Sequence, residues 1–262
     1  MPELPDVEVM RRYMEQTSLY QRISEAVTYN EDVLENLSAE RLNGTVEGNQ
    51  FERTVRHGKY LFAGMNNSLW MVFHFGMTGY LDYHRGEKKA HRHTRVEFFF
   101  QNGQGLSFVL QRKLGGLWIT ESIAEFVEKQ GLGPDALNDN PGPDELMAAA
   151  KKGRSSIKSF LMNQKLIAGI GNIYSDEILF QAGIMPRAMA KDVSSKSWEK
   201  IATEIKEVLT TAIERGADPG EMPGSYLLPH RREGGVCPRC KGEISTAKIS
   251  GRTAYFCAEC QS

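Results

Sequence analysis

Cys237-Pro-Arg-Cys240-Lys-Gly-Glu-Ile-Ser-Thr-Ala-Lys-Ile-Ser-Gly251-Arg252-Thr-Ala-Tyr-Phe-Cys257-Ala-Glu-Cys260 holds every cysteine of the 262-residue chain. The spacing, two residues within each pair and sixteen between pairs, is that of a four-thiolate zinc site in which each close pair forms one knuckle. Gly242–Tyr255 reads as the hairpin that brings the knuckles together. Cys237, Cys240, Cys257 and Cys260 would hold one Zn(2+) per chain. Four protein ligands leave the metal no open position, so its expected role is structural, a staple for Arg252 and its neighbours. The alternatives are four unrelated thiols or two disulfides. A ribbon of this kind serves DNA, RNA or protein contacts equally well.

Towards the N-terminus, residues 144–152, 155–163, 172–182 and 194–215 have helical periodicity. Asp144, Ser155, Asn172 and Ser194 are plausible N-caps, and Gly183 and Gly216 plausible stops. Two of these helices are joined by Gly169-Ile-Gly171-Asn172. The N–H groups of such a turn, with the helix start behind it, suit phosphate oxygens. A bland helical hairpin fits this motif as well, but the nearby Lys158 and Lys165 favour phosphate.

Gly131-Leu-Gly-Pro-Asp-Ala-Leu-Asn-Asp-Asn-Pro-Gly-Pro-Asp144 concentrates turn residues and reads as an interdomain linker. Before it, 51–55, 59–64, 69–75, 95–100 and 106–110 are β-branched and aromatic runs broken by turn signals, which predicts an antiparallel β domain. Residues 5–17 read as a helix with Pro5 in its first turn. The expected boundaries are 1–130 for a β-sandwich domain, 131–143 for a linker, 144–230 for a helical domain and 231–262 for the zinc finger. The fold class is α+β.

With 40% hydrophobic and 25% charged residues, the chain can bury two modest cores. No apolar run approaches the roughly 18 residues of a membrane span, and no leader pattern is present, so a cytoplasmic location, at the nucleoid, is expected. Residues 1–150 carry 15 Lys and Arg against 21 Asp and Glu, and residues 151–262 carry 17 against 12. This asymmetry suggests a polyanion facing the second half, without identifying it.

Three segments carry a family resemblance: Met1-Pro-Glu-Leu-Pro-Asp-Val-Glu8, Gly169-Ile-Gly-Asn-Ile-Tyr-Ser-Asp-Glu177, and Gly251-Arg-Thr-Ala-Tyr-Phe-Cys-Ala-Glu-Cys260. In this order they resemble the formamidopyrimidine-DNA glycosylase and endonuclease VIII family, and the likeness spans essentially the whole chain. The resemblance implies a β-sandwich carrying the N-terminal helix, then a helix–two-turns–helix module with a zinc-finger hairpin. It also implies damaged double-stranded DNA as partner, bound by a monomer with no membrane. Asn172 and Arg252 would hold phosphates flanking the lesion, and Lys59 would be a strand-borne lysine near the catalytic centre. Each has a plainer reading: Asn172 as a helix cap, Lys59 and Arg252 as solvated strand residues.

The implied catalytic residues are Pro2, Glu3 and Lys59. Once Met1 is removed, Pro2 presents a secondary amine that can attack the sugar C1′ as the base leaves, forming an iminium. Its positive charge acidifies the C2′ hydrogen, so β- and then δ-elimination can cut the strand on both sides. An α-amine titrates near pH 8 and is partly neutral at pH 7, unlike a lysine at about 10. Glu3 can shuttle protons to and from the sugar or base. Asp6 stands where the family more often has Glu.

Chemistry on a base requires flipping it out, and side chains must fill the gap. Met77 matches the family's intercalating methionine and Arg112 the arginine facing the orphaned base. Leu114 takes the place usually held by phenylalanine, and the preceding Asp-Pro of that pattern is absent. The segment 216–235 is shorter than the loop that closes over 8-oxoguanine in formamidopyrimidine-type enzymes. Hydantoins, formamidopyrimidines or oxidised pyrimidines are therefore expected ahead of 8-oxoguanine. Two rival functions remain at this point: a damaged-DNA-binding protein of the same fold without catalysis, and a zinc-ribbon module for RNA or protein.

Overall fold

The computed structural model describes residues 1–85, 91–112 and 114–262. They form two compact units, one of residues 1–2 with 6–130 and one of residues 3–5 with 131–262.

The first unit takes helix α1 (Leu4–Thr17) from Asp6 on, followed by β1 (Ile23–Thr28), α2 (Ala39–Val46), β2 (Phe51–His57), β3 (Tyr60–Met65) and β4 (Trp70–His74). It continues with β5 (Tyr80–Arg85), β6 (Thr94–Phe100), β7 (Gln104–Val109), β8 (Gly116–Thr120) and α3 (Ile123–Gln130). The strands make two antiparallel sheets, ordered β1-β6-β7-β5 and β2-β3-β4-β8. Phe51 and Phe73 of one sheet meet Phe98 and Phe108 of the other in edge-to-face contacts, and these rings centre the sandwich core. Val7 and Met14 of α1 are fully buried in it, seven residues apart on one helical face.

The near-continuous apolar run of β3 follows from cover on both sides. Leu61 and Ala63 face the sandwich core, while Phe62 packs on Phe126 of α3 with ring centroids 5.4 Å apart. A strand with one wet face would alternate.

The second unit holds α4 (Pro143–Lys151), α5 (Ile157–Leu161), α6 (Asn172–Ala182), α7 (Ser195–Glu214) and the hairpin β9 (Ser245–Ile249) with β10 (Arg252–Phe256). Phe160, Ile178, Leu179, Trp198, Ile205 and Leu209 share its main core. Helix α6 is buried on all sides, Asp176 and Glu177 included, and it ends at Gly183 (φ 74°), where the chain turns left-handed.

Several local expectations change in position. Ser156, not Ser155, caps α5, and Gly171, not Asn172, occupies the cap of α6, making Asn172 the first helical residue. Gly142 precedes α4, with the Glu145 carboxylate accepting its N–H. Ser194 does cap α7, accepting from Ser197 N. The stretch 131–143, expected as a linker, is packed into the second unit: Ala136 is fully buried and its N–H donates to Ala168 O, while Ala168 N donates to Pro134 O. Its Asp and Pro residues encode tight local turns, as Asp135 shows by accepting from the N–H groups of Leu137 and Asn138.

Candidate active site and nucleic-acid interface

Glu3 is 1% exposed, and its carboxylate sits at the start of α6. Oε2 accepts from Gly171 N (2.8 Å) and Tyr174 N (3.2 Å), and Oε1 accepts from Ile173 N (2.8 Å). A helix start presents N–H groups without intrahelical acceptors and a partial positive charge, so an ionised carboxylate is well placed there. Leu4 N donates to Gly169 O directly beside it (3.0 Å). This corrects the reading of the Gly-Ile-Gly turn as a phosphate cradle. The N–H of Gly171 and those of Ile173 and Tyr174 in the first turn of α6 already serve Glu3, and Gly169 N donates to Gln164 Oε1, which leaves the Asn172 side chain as the candidate phosphate contact. The Oδ1 of Asn172 is buried without a hydrogen-bond partner; as an acceptor it cannot hold a phosphate, so the contact would fall to the Nδ2 donor.

Lys158 also departs from expectation. It is fully buried, and its ammonium donates to Asn172 O (2.9 Å), Ser175 Oγ (2.9 Å) and Asp176 Oδ1 (2.5 Å). Three acceptors saturate an ammonium. Lys158 therefore braces the turn from within instead of reaching a phosphate. Burial pushes its amine below, and the Asp176 carboxyl above, their ordinary values, each opposed by the partner's charge.

Arg231, Asp176 and Glu177 were not foreseen as site residues. Arg231 Nε and Nη2 both donate to Asp176 Oδ2 (3.0 and 2.8 Å). The Glu177 carboxylate accepts from Leu227 N (3.1 Å), Leu228 N (2.8 Å) and Gln181 Nε2 (2.7 Å). Burial drives Glu177 up to about 7 despite those donors. The signal was present in the sequence: two adjacent carboxylates inside the mostly uncharged run Ile173–Ala182 must find partners once that helix is buried.

In the first unit, Lys59 lies not within a strand but in the two-residue turn Gly58-Lys59, between the paired residues His57 and Tyr60. Gly58 supplies the positive φ (55°). Arg56 fixes this turn by donating to Gly58 O (3.3 Å) and to Glu8 Oε2 of α1 (3.3 Å). Glu8 is also held by Arg11 and Arg12; burial pushes its carboxyl up, but the three arginines more than offset this. Lys59 is 8% exposed; burial, with the Lys59 charge adding to it, lowers the neighbouring His74 to about 4, so His74 is neutral at pH 7. Pro2 is half-buried.

Met77, Arg112 and Leu114, the three side chains expected to fill the gap, lie on neighbouring loops. Arg112 Nη1 lies 3.5 Å from Met77 Sδ, and Leu114 N donates to Arg112 O (2.9 Å). Leu114 is 61% exposed, an apolar side chain offered to solvent. At Gly76 the Met77 loop meets the backbone of the Leu114 loop: a Cβ there (φ 59°) would fall 2.6 Å from Gly115 N.

The four sulfur atoms lie within 4.8 Å of one another. Cys237–Cys260 at 3.8 Å and Cys240–Cys257 at 3.5 Å are too long for disulfides and close to the ~3.8 Å edge of a tetrahedron with 2.3 Å zinc–sulfur bonds. Gly242 N donates to Cys240 Sγ (3.4 Å), a knuckle hydrogen bond that suits a thiolate. The donor set fits zinc. Bound there, the ion would hold the hairpin and supply no reaction chemistry. Arg252 opens β10 beside the turn Ser250-Gly251, both residues at positive φ (47° and 76°), and its side chain is exposed with no ion-pair partner among the described residues.

Three family models match the chain in order: the formamidopyrimidine-DNA glycosylase N-terminal domain over residues 1–117, the H2TH domain of the same enzymes over 132–222, and the zinc finger found in FPG and IleRS over 234–262. Together with the fold, they define the class, a zinc-finger DNA glycosylase. The formamidopyrimidine-DNA glycosylases of Trichormus variabilis and of the Wolbachia of Brugia malayi are 33% and 34% identical, each aligned over all of both chains. Two crystal structures of the Lactococcus lactis enzyme, one non-covalently bound to DNA with an abasic site and one with Fapy-dG DNA, superpose with TM-scores of 0.89 and 0.90. Both are 26% identical and cover 99% of each chain. The chain belongs to the formamidopyrimidine-DNA glycosylase family.

Proposed function

We propose that this glycosylase excises oxidised bases from damaged double-stranded DNA and then cleaves the strand, using the amine of Pro2 as nucleophile once Met1 is removed. The observation that carries the reading is the anchoring of Glu3 by three N–H groups at the start of α6. Pro2 is covalently joined to Glu3, so an anchored Glu3 restricts where the terminal amine can go. Restricting a nucleophile in this way removes part of the entropic cost of reaction.

In the reaction, the Pro2 nitrogen forms a bond to C1′ as the bond from C1′ to the base breaks, and the base leaves with a proton. Opening of the C1′–O4′ bond, with O4′ taking a proton, turns this adduct into an iminium, which allows loss of a C2′ proton and expulsion of the 3′ phosphate, and a second elimination expels the 5′ phosphate. Hydrolysis returns the amine. Glu3 is the group assigned to proton transfer at the sugar, and Lys59, beside a neutral His74, supplies positive charge in the first unit. Asn172 and Arg252 hold the flanking phosphates. Met77, Arg112 and Leu114 fill the space of the extruded nucleotide. Lys158 is removed from the DNA-contacting set.

The proposed substrates are hydantoins, formamidopyrimidines and oxidised pyrimidines ahead of 8-oxoguanine. The segment after α7 is tied down by Glu177 at Leu227 and Leu228 and by Asp176 at Arg231, and Met222 is buried in the helical core. Such anchoring leaves little chain to close over a base. The enzyme is proposed to act as a monomer in the cytoplasm; no helix among the described residues is long and apolar enough to cross a membrane. The reading is tested by excision from duplexes carrying each oxidised base, with Glu3→Gln as control. Release of a damaged base by the native chain and its loss in the variant are expected, and an inactive native chain on every lesion contradicts it.

A further inference from the structure

The guanidinium of Arg231 joins two pieces of the second unit. Its edge donates Nε and Nη2 to Asp176 Oδ2 and, more weakly, Nη2 to Asn172 O (3.4 Å). Its face lies over the ring of Tyr255, 4.4 Å from the centroid. Asn172 and Asp176 belong to the first turns of α6, and Tyr255 to the strand that begins with Arg252. Asp176 is shared, since its other oxygen takes Lys158. One carboxylate thus answers two cations, and the second cation reaches the zinc-finger hairpin. A planar fork can donate in its plane and stack through its face at the same time, whereas an ammonium cannot.

From this we infer that Arg231 is a positioning residue for DNA binding: it locks the Tyr255 hairpin to the start of α6, so that Asn172 and Arg252 act as one phosphate clamp with a fixed spacing. The inference rests on the assignment of Asn172 and Arg252 to phosphates. Arg231 itself is committed to Asp176 and Tyr255 and adds no phosphate contact. Removing it frees the Arg252 end of the hairpin from the start of α6, while Arg239, donating to Phe180 O and Gln181 O, still holds the finger to the end of that helix.

The test measures the affinity of the zinc-loaded full chain for a duplex with a tetrahydrofuran abasic-site analogue, across a salt series, for Arg231→Lys, Arg231→Met, Arg252→Ala and the double variants. Each phosphate neutralised contributes about 0.9 to the slope of log affinity against log salt. Arg252→Ala is expected to lower the slope by about that amount. Arg231→Lys and Arg231→Met are each expected to weaken binding roughly tenfold and lower the slope similarly, with no further change in slope when combined with Arg252→Ala. Zinc content and the melting temperature of Arg231→Lys verify that the chain stays folded.

A slope that Arg231→Lys preserves and Arg231→Met reduces would mean direct charge contact and overturn the inference. So would a full slope in both Arg231 variants, or an additional loss in the double variants. If Arg252→Ala alone leaves the slope unchanged, the phosphate assignment fails first and the clamp with it.

Discussion

Glu3 Oε2 lies 2.8 Å from the backbone nitrogen of Gly171, a contact between residues 168 apart in the chain. It exists because position 171 has no side chain: a Cβ there would come within 2.4 Å of Glu3 Oε1. Gly171→Ala should therefore evict the carboxylate. Displacing a catalytic group by about 1 Å can cost on the order of 100-fold in rate, and a loss of that order in base excision, with zinc content unchanged, is expected from single-turnover kinetics. Activity within twofold of the native chain would show that the anchoring of Glu3 is dispensable.

Gly76→Ala probes the gap-filling trio. The substitution puts a side chain into a positive-φ position and into the backbone of Leu114 and Gly115. The left-handed conformation alone costs roughly 1 kcal/mol for a non-glycine residue, and the clash must move one of the two loops. Weaker binding to lesion duplexes than to undamaged duplexes, relative to the native ratio, is the expected result in competition titrations. An unchanged ratio would remove Met77 and Leu114 from lesion recognition.

Glu177 makes a pH prediction. Its carboxyl titrates near 7 in the folded chain against 4.5 ordinarily, so the folded state binds the extra proton between these values. Stability from this group is therefore fully present below about pH 4.5 and declines as the pH rises through 7. At about 1.4 kcal/mol per unit, the total is on the order of 3 kcal/mol. Thermal melts from pH 5 to 8 should show this decline in the native chain and a flatter profile in Glu177→Gln. Parallel profiles would mean that Glu177 stays ionised throughout.

Stripping zinc should act on DNA affinity before it acts on the amine. The metal holds the hairpin bearing Arg252, whereas Pro2 and Lys59 lie in the other unit. Chelator-treated protein is expected to lose roughly tenfold or more in affinity, with a slope lower by about 0.9, yet still to form the covalent adduct at saturating abasic DNA. Undiminished affinity without metal would end the structural role assigned to the four thiolates.

Much of the fold could be read from residues with local consequences. The cysteine spacing, the apolar runs of β3 and β4, and Ser194 at the start of α7 each express a rule that acts over a few residues. Lys158 and the 131–143 stretch are not legible locally for one reason: both depend on partners well removed along the chain. Nothing near Lys158 in sequence announces Asp176 and Asn172 O as its acceptors, and a Gly- and Pro-rich segment looks the same whether its turns are mobile or packed against Ala168. Arg231 is not marked by any motif because its role lies in bridging α6 and Tyr255, which no spacing encodes. The capture of the Gly171 N–H by Glu3 belongs to the same kind.

The nucleophile is the central claim, and its direct measurement is borohydride trapping on a duplex with an abasic site, followed by peptide mapping of the reduced adduct. The expected product is a chain lacking Met1, with the sugar remnant on the nitrogen of Pro2. An adduct on a lysine such as Lys59, or no adduct from a chain with a free Pro2 amine, would contradict it.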